Sequence, residues 1–383
     1  MQDRAWRAES LAAQALGWVD DKTRAITPPI HMSSTFLRAP DYGNERAYIR
    51  DQNPAFEQTE ALLAKLENGA AAALFASGMA AATSVFMALK PGDHVIAPQM
   101  MYWSLRKWLT GYASEWGLKV TLVDMTDLAA LAAAIEPGRT KLIWIETPGN
   151  PLWSVTDIAA CAKLAHQAGA RLAVDSTVAT PVFTRPLDLG ADIVMHSATK
   201  YLNGHSDICA GALVTRVADA AWERIVEVRY TLGAIIGSVE AWLLLRGMRS
   251  LFPRVRQQAS SAAELAQRLA AHPAISHVLY PGLADFPGHD IAKRQMQGGF
   301  GGMLSVRVKA GKDAALATAA RVGLWQRATS LGGTESLIEH RASIEGPESP
   351  VPGDMLRLSV GLEDAGDLYD DLDRALRGGN APT

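Results

Sequence analysis

Cysteine is scarce: the 383 residues include only Cys161 and Cys209, too few for a disulfide framework. Both sit in apolar stretches and are expected as buried thiols. An excess of charge of one sign is also missing. The net charge of -3 gives no reason to expect nucleic acid or an anionic membrane as a partner. No uninterrupted apolar run approaches membrane-spanning length. The first residues carry Asp3, Arg4, Arg7 and Glu9 and no apolar core of signal-peptide length, so a cytoplasmic location is expected. There is no internal repeat, and the only low-complexity tracts are alanine-rich helices. Neither a Walker motif nor Gly-x-Gly-x-x-Gly occurs, which argues against a nucleotide-binding module. No metal is expected.

What remains is an ordinary globular composition, 48% hydrophobic and 20% charged, in a chain long enough for two domains. Residues 1–55 mix helical pattern with extended, Pro-containing chain and lack the makings of a core. Such an arm packs on another part of the protein or on a neighbouring subunit. Residues 56–240 alternate helices with short, near-continuously apolar strands, read at Ala72–Ala76, His94–Pro98, Lys119–Val123, Lys141–Glu146, Arg171–Asp175, Ile193–His196 and Ala210–Thr215. This pattern predicts an α/β domain around a mostly parallel seven-stranded sheet buried on both faces. Residues 241–383 read as a smaller α+β domain. Its helices are predicted at Val239–Arg249, Val255–Ala271, Ala314–Val322 and Asp367–Leu376, and its strands at Ile275–Tyr280, Gly302–Val308 and Leu356–Val360.

Two strand ends carry the chemistry. Arg171–Asp175 closes on a lone carboxylate, and Ile193–His196 runs into Ser197-Ala198-Thr199-Lys200. A strand-end lysine preceded by hydroxyl residues, with an aspartate one strand upstream, is what pyridoxal 5'-phosphate requires. Lys200 anchors the cofactor aldehyde, Asp175 pairs with the protonated ring nitrogen, and Ser197 and Thr199 donate to the phosphate. The plainer alternative is a solvated lysine and a helix-capping aspartate.

Further signals are weaker singly. Ser77-Gly78-Met79 follows the first strand and opens a helix, where backbone N–H groups can meet an anion; a plain strand-to-helix turn is the alternative. In Glu146-Thr147-Pro148-Gly149-Asn150-Pro151 the two prolines fix the loop, so Asn150 can hold its amide toward a ligand or serve as a turn residue. Tyr102 can stack on a flat cofactor or pack in the core. Arg357 is a charge amid the apolar strand Leu356–Val360 and must find a partner. A substrate carboxylate or an internal ion pair would each satisfy it.

Taken together, these segments resemble the Cys/Met-metabolism family of pyridoxal-phosphate enzymes, which holds cystathionine γ-synthase, the cystathionine lyases and methionine γ-lyase. The match runs from Pro28-Pro29-Ile30 to Leu358-Ser359-Val360-Gly361. It takes in Tyr48-Ile49-Arg50, Asn53-Pro54, Ser77-Gly78-Met79, Glu146-Thr147-Pro148, Asp175, Ser197 to Lys200, Ser330-Leu331-Gly332-Gly333 and Glu335-Ser336-Leu337. The resemblance implies the aspartate-aminotransferase-like fold of type I. It implies Lys200, Tyr102 and Asp175 as catalytic residues, with Tyr102 stacked on the ring. Ser77, Gly78, Met79, Asn150, Thr177, Ser197 and Thr199 would hold the cofactor. Tyr48 and Arg50 would reach the phosphate of a neighbouring subunit, in a dimer usually paired into a tetramer. Arg357, Ser330, Leu331, Asn150 and Tyr48 would bind the amino-acid substrate.

Departures from the family pattern concern the substrate end. Tyr102-Trp103-Ser104-Leu105-Arg106 stands where many γ-acting relatives have Tyr-Gly-Gly-Thr. His340-Arg341-Ala342-Ser343-Ile344-Glu345 replaces His-Pro-Ala-Ser-Met-Thr, while Ser330-Leu331-Gly332-Gly333 follows the γ-acting type. The expected activity is γ-elimination or γ-replacement on a homoserine-, methionine-, cystathionine- or canavanine-like amino acid. Cystathionine β-elimination is the alternative; an aminotransferase or a non-catalytic cofactor binder fits less well.

Overall fold

The structure is a computed structural model describing residues 6–43, 46–347 and 349–380. Asp3 and Arg4, at the start of the expected arm, lie outside the described residues.

The seven strands expected in the first half form one sheet: β1 (Ala71–Phe75), β2 (His94–Pro98), β3 (Lys119–Val123), β4 (Thr140–Glu146), β5 (Arg171–Asp175), β6 (Ile193–His196) and β7 (Gly211–Thr215). Their order is β1-β7-β6-β5-β4-β2-β3. From β6 to β3 all neighbours are parallel, whereas β7 runs antiparallel to both β6 and β1. Alternate side chains feed two apolar layers. Leu74, Ile96, Ile143, Ile145, Val174 and Val194 pack on one face, and Phe75, Val95, Trp144, Ala173, Met195 and Leu213 on the other. Burial on both faces is why these strands read as continuous apolar runs.

The connecting helices carry local start signals. Asn53 accepts the Ala55 N–H ahead of Pro54–Leu66, with Pro54 in the first turn. Ser77 accepts from Ala80 N–H at the start of Gly78–Met87, and Asp157 from Ala160 N–H before Ile158–Gln167. Each cap satisfies a donor the helix cannot.

A second sheet holds β8 (Ile275–Leu279), β9 (Met303–Val308), β10 (Gln326–Arg327), β11 (Leu337–Glu339) and β12 (Met355–Ser359), in the order β10-β11-β12-β9-β8. Its apolar side chains meet Leu265 and Leu269 of the helix Leu251–Ala270, and Leu368 and Leu372 of Ala365–Leu376. Strands β10 and β11 were not expected from sequence, and the long helix begins at Leu251 rather than Val255. Among the described residues no helix is long and apolar enough to cross a membrane.

Candidate active site

The carboxyl ends of parallel strands are where an open α/β sheet leaves a crevice. Here β4 ends in Glu146, β5 in Asp175, and β6 leads directly to Ser197. These ends open into a cavity of about 320 Å³, closed on the far side by Thr329, Ser330, Leu331, Arg341 and Arg357. The sequence-predicted residues Ser77, Gly78, Met79, Tyr102, Asn150, Asp175, Thr177, Ser197, Thr199, Lys200, Ser330, Leu331 and Arg357 all line it.

One end suits a phosphate. Gly78 and Met79 present their N–H groups at a helix start, where neither makes an intramolecular hydrogen bond among the described residues. Close packing forces glycine here: a Cβ on Gly78 would lie 2.8 Å from Ser197 Oγ, and one on Gly211 would lie 2.1 Å from the Ser77 carbonyl oxygen. Thr199 is held differently from expectation. Its hydroxyl donates to Ala210 O at 3.1 Å and accepts from Ala210 N at 2.9 Å, so it braces the lysine loop in this state.

At the floor, Thr177 donates its hydroxyl to Asp175 Oδ1 at 2.5 Å and accepts the Ser197 N–H at 2.8 Å. The other Asp175 oxygen has no hydrogen-bond partner among the described residues. Burial, opposed mainly by Thr177, pushes the Asp175 carboxyl up. Glu146 lies beside it, accepting the N–H groups of Tyr102 at 2.7 Å and Asn150 at 2.8 Å. Burial first and the Asp175 charge second push its carboxyl up to about 8.

Lys200 Nζ donates to Ser330 Oγ at 2.9 Å. Burial, then the Arg357 charge, push the amine down to about 8. Arg357 donates to Asn150 Oδ1 at 3.2 Å and Ser330 O at 2.9 Å. It also meets Glu339 Oε2 at 2.7 Å, so the internal ion pair considered from sequence is present on a residue that still faces the cavity.

Tyr48 and Arg50 do not line this cavity. Both are exposed, and Arg50 donates to Tyr230 O at 3.2 Å. Cys161 is buried as expected, but Cys209 is exposed. Cys209 lies on the loop between Lys200 and β7, at the cavity wall, where apolar sequence neighbours do not determine burial. Sequence reasoning gave no role to Glu146, Glu339 or Arg341. Glu146 carried a usable signal, a second strand-end carboxylate, and Arg341 was visible as a departure from the family pattern.

The donor set fits pyridoxal phosphate: free N–H groups and a hydroxyl at one end, an unpartnered carboxylate oxygen at the floor, and a largely buried amine between them. Residues 9–377 match the family model described as Cys/Met metabolism PLP-dependent enzyme. The chain is 45% identical to cystathionine gamma-synthase of Mycobacterium tuberculosis over 93% of both chains. It is 41% identical to cystathionine gamma-lyase of Dictyostelium discoideum over 93% of this chain and 94% of that one. Cystathionine gamma synthase from Xanthomonas oryzae pv. oryzae, solved with cystathionine, superposes with a TM-score of 0.94 at 36% identity, covering 98% of each chain. Site chemistry, fold and sequence therefore agree that the chain belongs to the Cys/Met metabolism PLP-dependent enzymes, with pyridoxal 5'-phosphate as its cofactor.

Proposed function

We propose that the chain eliminates or replaces a group at Cγ of a homoserine-, methionine- or cystathionine-like amino acid. The observation that supports the γ assignment is the likeness to γ-acting enzymes, a cystathionine gamma-synthase and a cystathionine gamma-lyase. The Lys200 Nζ to Ser330 Oγ hydrogen bond of 2.9 Å, with Arg357 and Asp175 lining the same cavity, supports the cofactor chemistry common to the family. The Lys200 amine, pushed down to about 8, shares this cavity with a group suited to a carboxylate, Arg357, and one suited to a ring nitrogen, Asp175. When bound, pyridoxal phosphate supplies a conjugated electron sink for charge developing at the substrate Cα. Arg357 holds the α-carboxylate and fixes which Cα bond faces that sink. Lys200 would anchor the cofactor; once the substrate amine has displaced it, its free amine would take the Cα proton and, in a γ process, hand that proton on before taking a second from Cβ. Asp175 keeps the ring nitrogen protonated, and Tyr102 covers the ring and assists the leaving group. Gly78, Met79, Ser77 and Ser197 hold the phosphate, with Thr199 bracing the Lys200 loop and Thr177 setting Asp175.

The arm, residues 1–55, belongs in this proposal to a shared dimeric site, with 56–240 as the cofactor domain and 241–383 as the smaller domain. Exposed Ile26, Met32, Leu37 and Tyr48 on the arm support a homo-oligomer, a dimer or a pair of dimers. A cytoplasmic location is supported by two free thiols.

The test is the keto acid released from cystathionine by the cofactor-loaded protein. We expect 2-oxobutyrate. Pyruvate would mean β-cleavage and would overturn the γ assignment.

A further inference from the structure

Arg357 does not meet the substrate as a free cation. It is the register partner of Glu339 across β12 and β11, with the two side chains 2.7 Å apart and both 4% exposed. The other Glu339 oxygen accepts the Thr329 hydroxyl at 2.5 Å. A buried arginine already matched by a buried carboxylate has little net charge left for a ligand carboxylate. Something must offset Glu339.

Arg341 is placed to do so. Its Nη1 lies 3.4 Å from the same Glu339 Oε2, and its Nε donates to Glu345 Oε1 at 2.8 Å. The remaining Glu345 oxygen accepts the Ser349 hydroxyl at 2.8 Å. Arg341 is buried, lines the cavity, and has no partner for Nη2 among the described residues. The result is a line of alternating charge: Glu345, Arg341, Glu339, Arg357. A substrate carboxylate on Arg357 extends the alternation by one member.

We propose that Arg341 is a positioning residue for the substrate carboxylate: by sharing Glu339 it leaves Arg357 charged toward the substrate, and its own field reaches Lys200. This inference rests on Arg357 holding the α-carboxylate. The charged and titratable groups acting on the Lys200 amine, after burial, are Arg357 and Arg341, which lower it, and Cys209 and Glu339, which raise it. Glu146 and Asp175 line the same cavity. Removing Arg341 therefore strengthens the grip of Glu339 on Arg357 and also lets the lysine hold its proton to higher pH. Neutralising Glu345 has the opposite sign, because it releases Arg341 toward Glu339.

The experiment uses cofactor-loaded wild type, Arg341→Met, Arg341→Lys, Glu345→Gln and Arg357→Met, matched for cofactor content. Two readouts are taken: KM against kcat, and the pH midpoint of the cofactor absorbance. Arg341→Met should raise KM about tenfold with a smaller change in kcat, and move the absorbance midpoint upward. Arg341→Lys should recover most of both. Glu345→Gln should move the midpoint downward, a sign that a purely structural role does not produce, and it carries the test if Arg341→Met does not fold. KM should rise alike for cystathionine and for O-acetylhomoserine, whose side chain is uncharged. A rise confined to cystathionine would place Arg341 at the distal end and overturn the inference. Unchanged KM and midpoint in folded Arg341→Met would overturn it as well. Arg357→Met separates the two levels. If its KM is unchanged, the carboxylate assignment itself fails; if it is impaired while Arg341→Met is not, only the role of Arg341 falls.

Discussion

Glu146 and Asp175 are register partners at the ends of adjacent parallel strands β4 and β5, so two carboxylates share the floor of one buried cavity. Burial pushes both upward, and the Asp175 charge adds to it for Glu146, which rises to about 8. The folded chain thus holds a proton on Glu146 over a range in which the unfolded chain, titrating near 4.5, has lost it. Its stabilising contribution is full below pH 4.5 and disappears as pH rises through about 8. For cofactor-free protein, the melting temperature should fall across that window more steeply in wild type than in Glu146→Gln. Parallel curves would show that Glu146 is ionised throughout. Asp175 is where the cofactor nitrogen should act, so cofactor binding should flatten the same dependence.

The depressed amine of Lys200 makes a separate prediction. With its midpoint at about 8, a substantial fraction is neutral, and so nucleophilic, at physiological pH. Attachment of pyridoxal phosphate to the cofactor-free protein should quicken with pH up to about 8 and then level off, as read by absorbance. Lys200→Ala should still fold and bind cofactor non-covalently, but turnover should fall by about 10⁴-fold, the upper range for a positioned acid–base group. Near-normal turnover would refute its role.

Much of this site could be read from the chain because its residues sit where local pattern is strong. Strands β2, β3, β5 and β6 end where their apolar runs end; Asp175 closes β5, and Lys200 lies on the loop that leaves β6. The reversed direction of β7 was not legible, since a strand buried on both faces has the same composition either way. Strands Gln326–Arg327 and Leu337–Glu339 are too short for any periodicity, so the partner of Arg357 stayed hidden. The helix Leu251–Ala270 starts ahead of the expected Val255, with Pro253 in its first turn, where the missing N–H has no partner within the helix anyway. Arg341 was conspicuous in sequence, but only tertiary packing shows that it shares Glu339 with Arg357.

The phosphate end depends on close backbone approach. A methyl on Gly78 would sit 2.8 Å from Ser197 Oγ and 3.1 Å from Ser197 Cα, so either the serine or the helix start must shift. Both carry phosphate donors in the proposed site. Gly78→Ala should weaken cofactor binding at least about tenfold, ~1.4 kcal/mol, with a smaller change in kcat once cofactor saturates. Titration of cofactor-free protein with pyridoxal phosphate measures this, and an unchanged dissociation constant would remove Gly78 from the phosphate cup.

Arg50 tests whether the site is shared. It is exposed, lies outside the cavity of its own chain, and donates only to the Tyr230 carbonyl at 3.2 Å among the described residues. Acting within its own chain, Arg50→Ala should leave cofactor retention intact. In a dimer whose arm reaches across, the same substitution should loosen cofactor in the neighbouring site. Mixing makes the distinction sharper, because Arg50→Ala and Lys200→Ala subunits damage different sites. In a hybrid dimer one site carries both lesions, while the other combines an intact Lys200 with an intact Arg50 from across the interface. Random reassembly of equal amounts makes half the dimers hybrid, each with one of its two sites restored. Activity should therefore return to about a quarter of wild type from two impaired parents. No gain over the mean of the parents, in a mixture verified to contain hybrids, would confine each site to one chain.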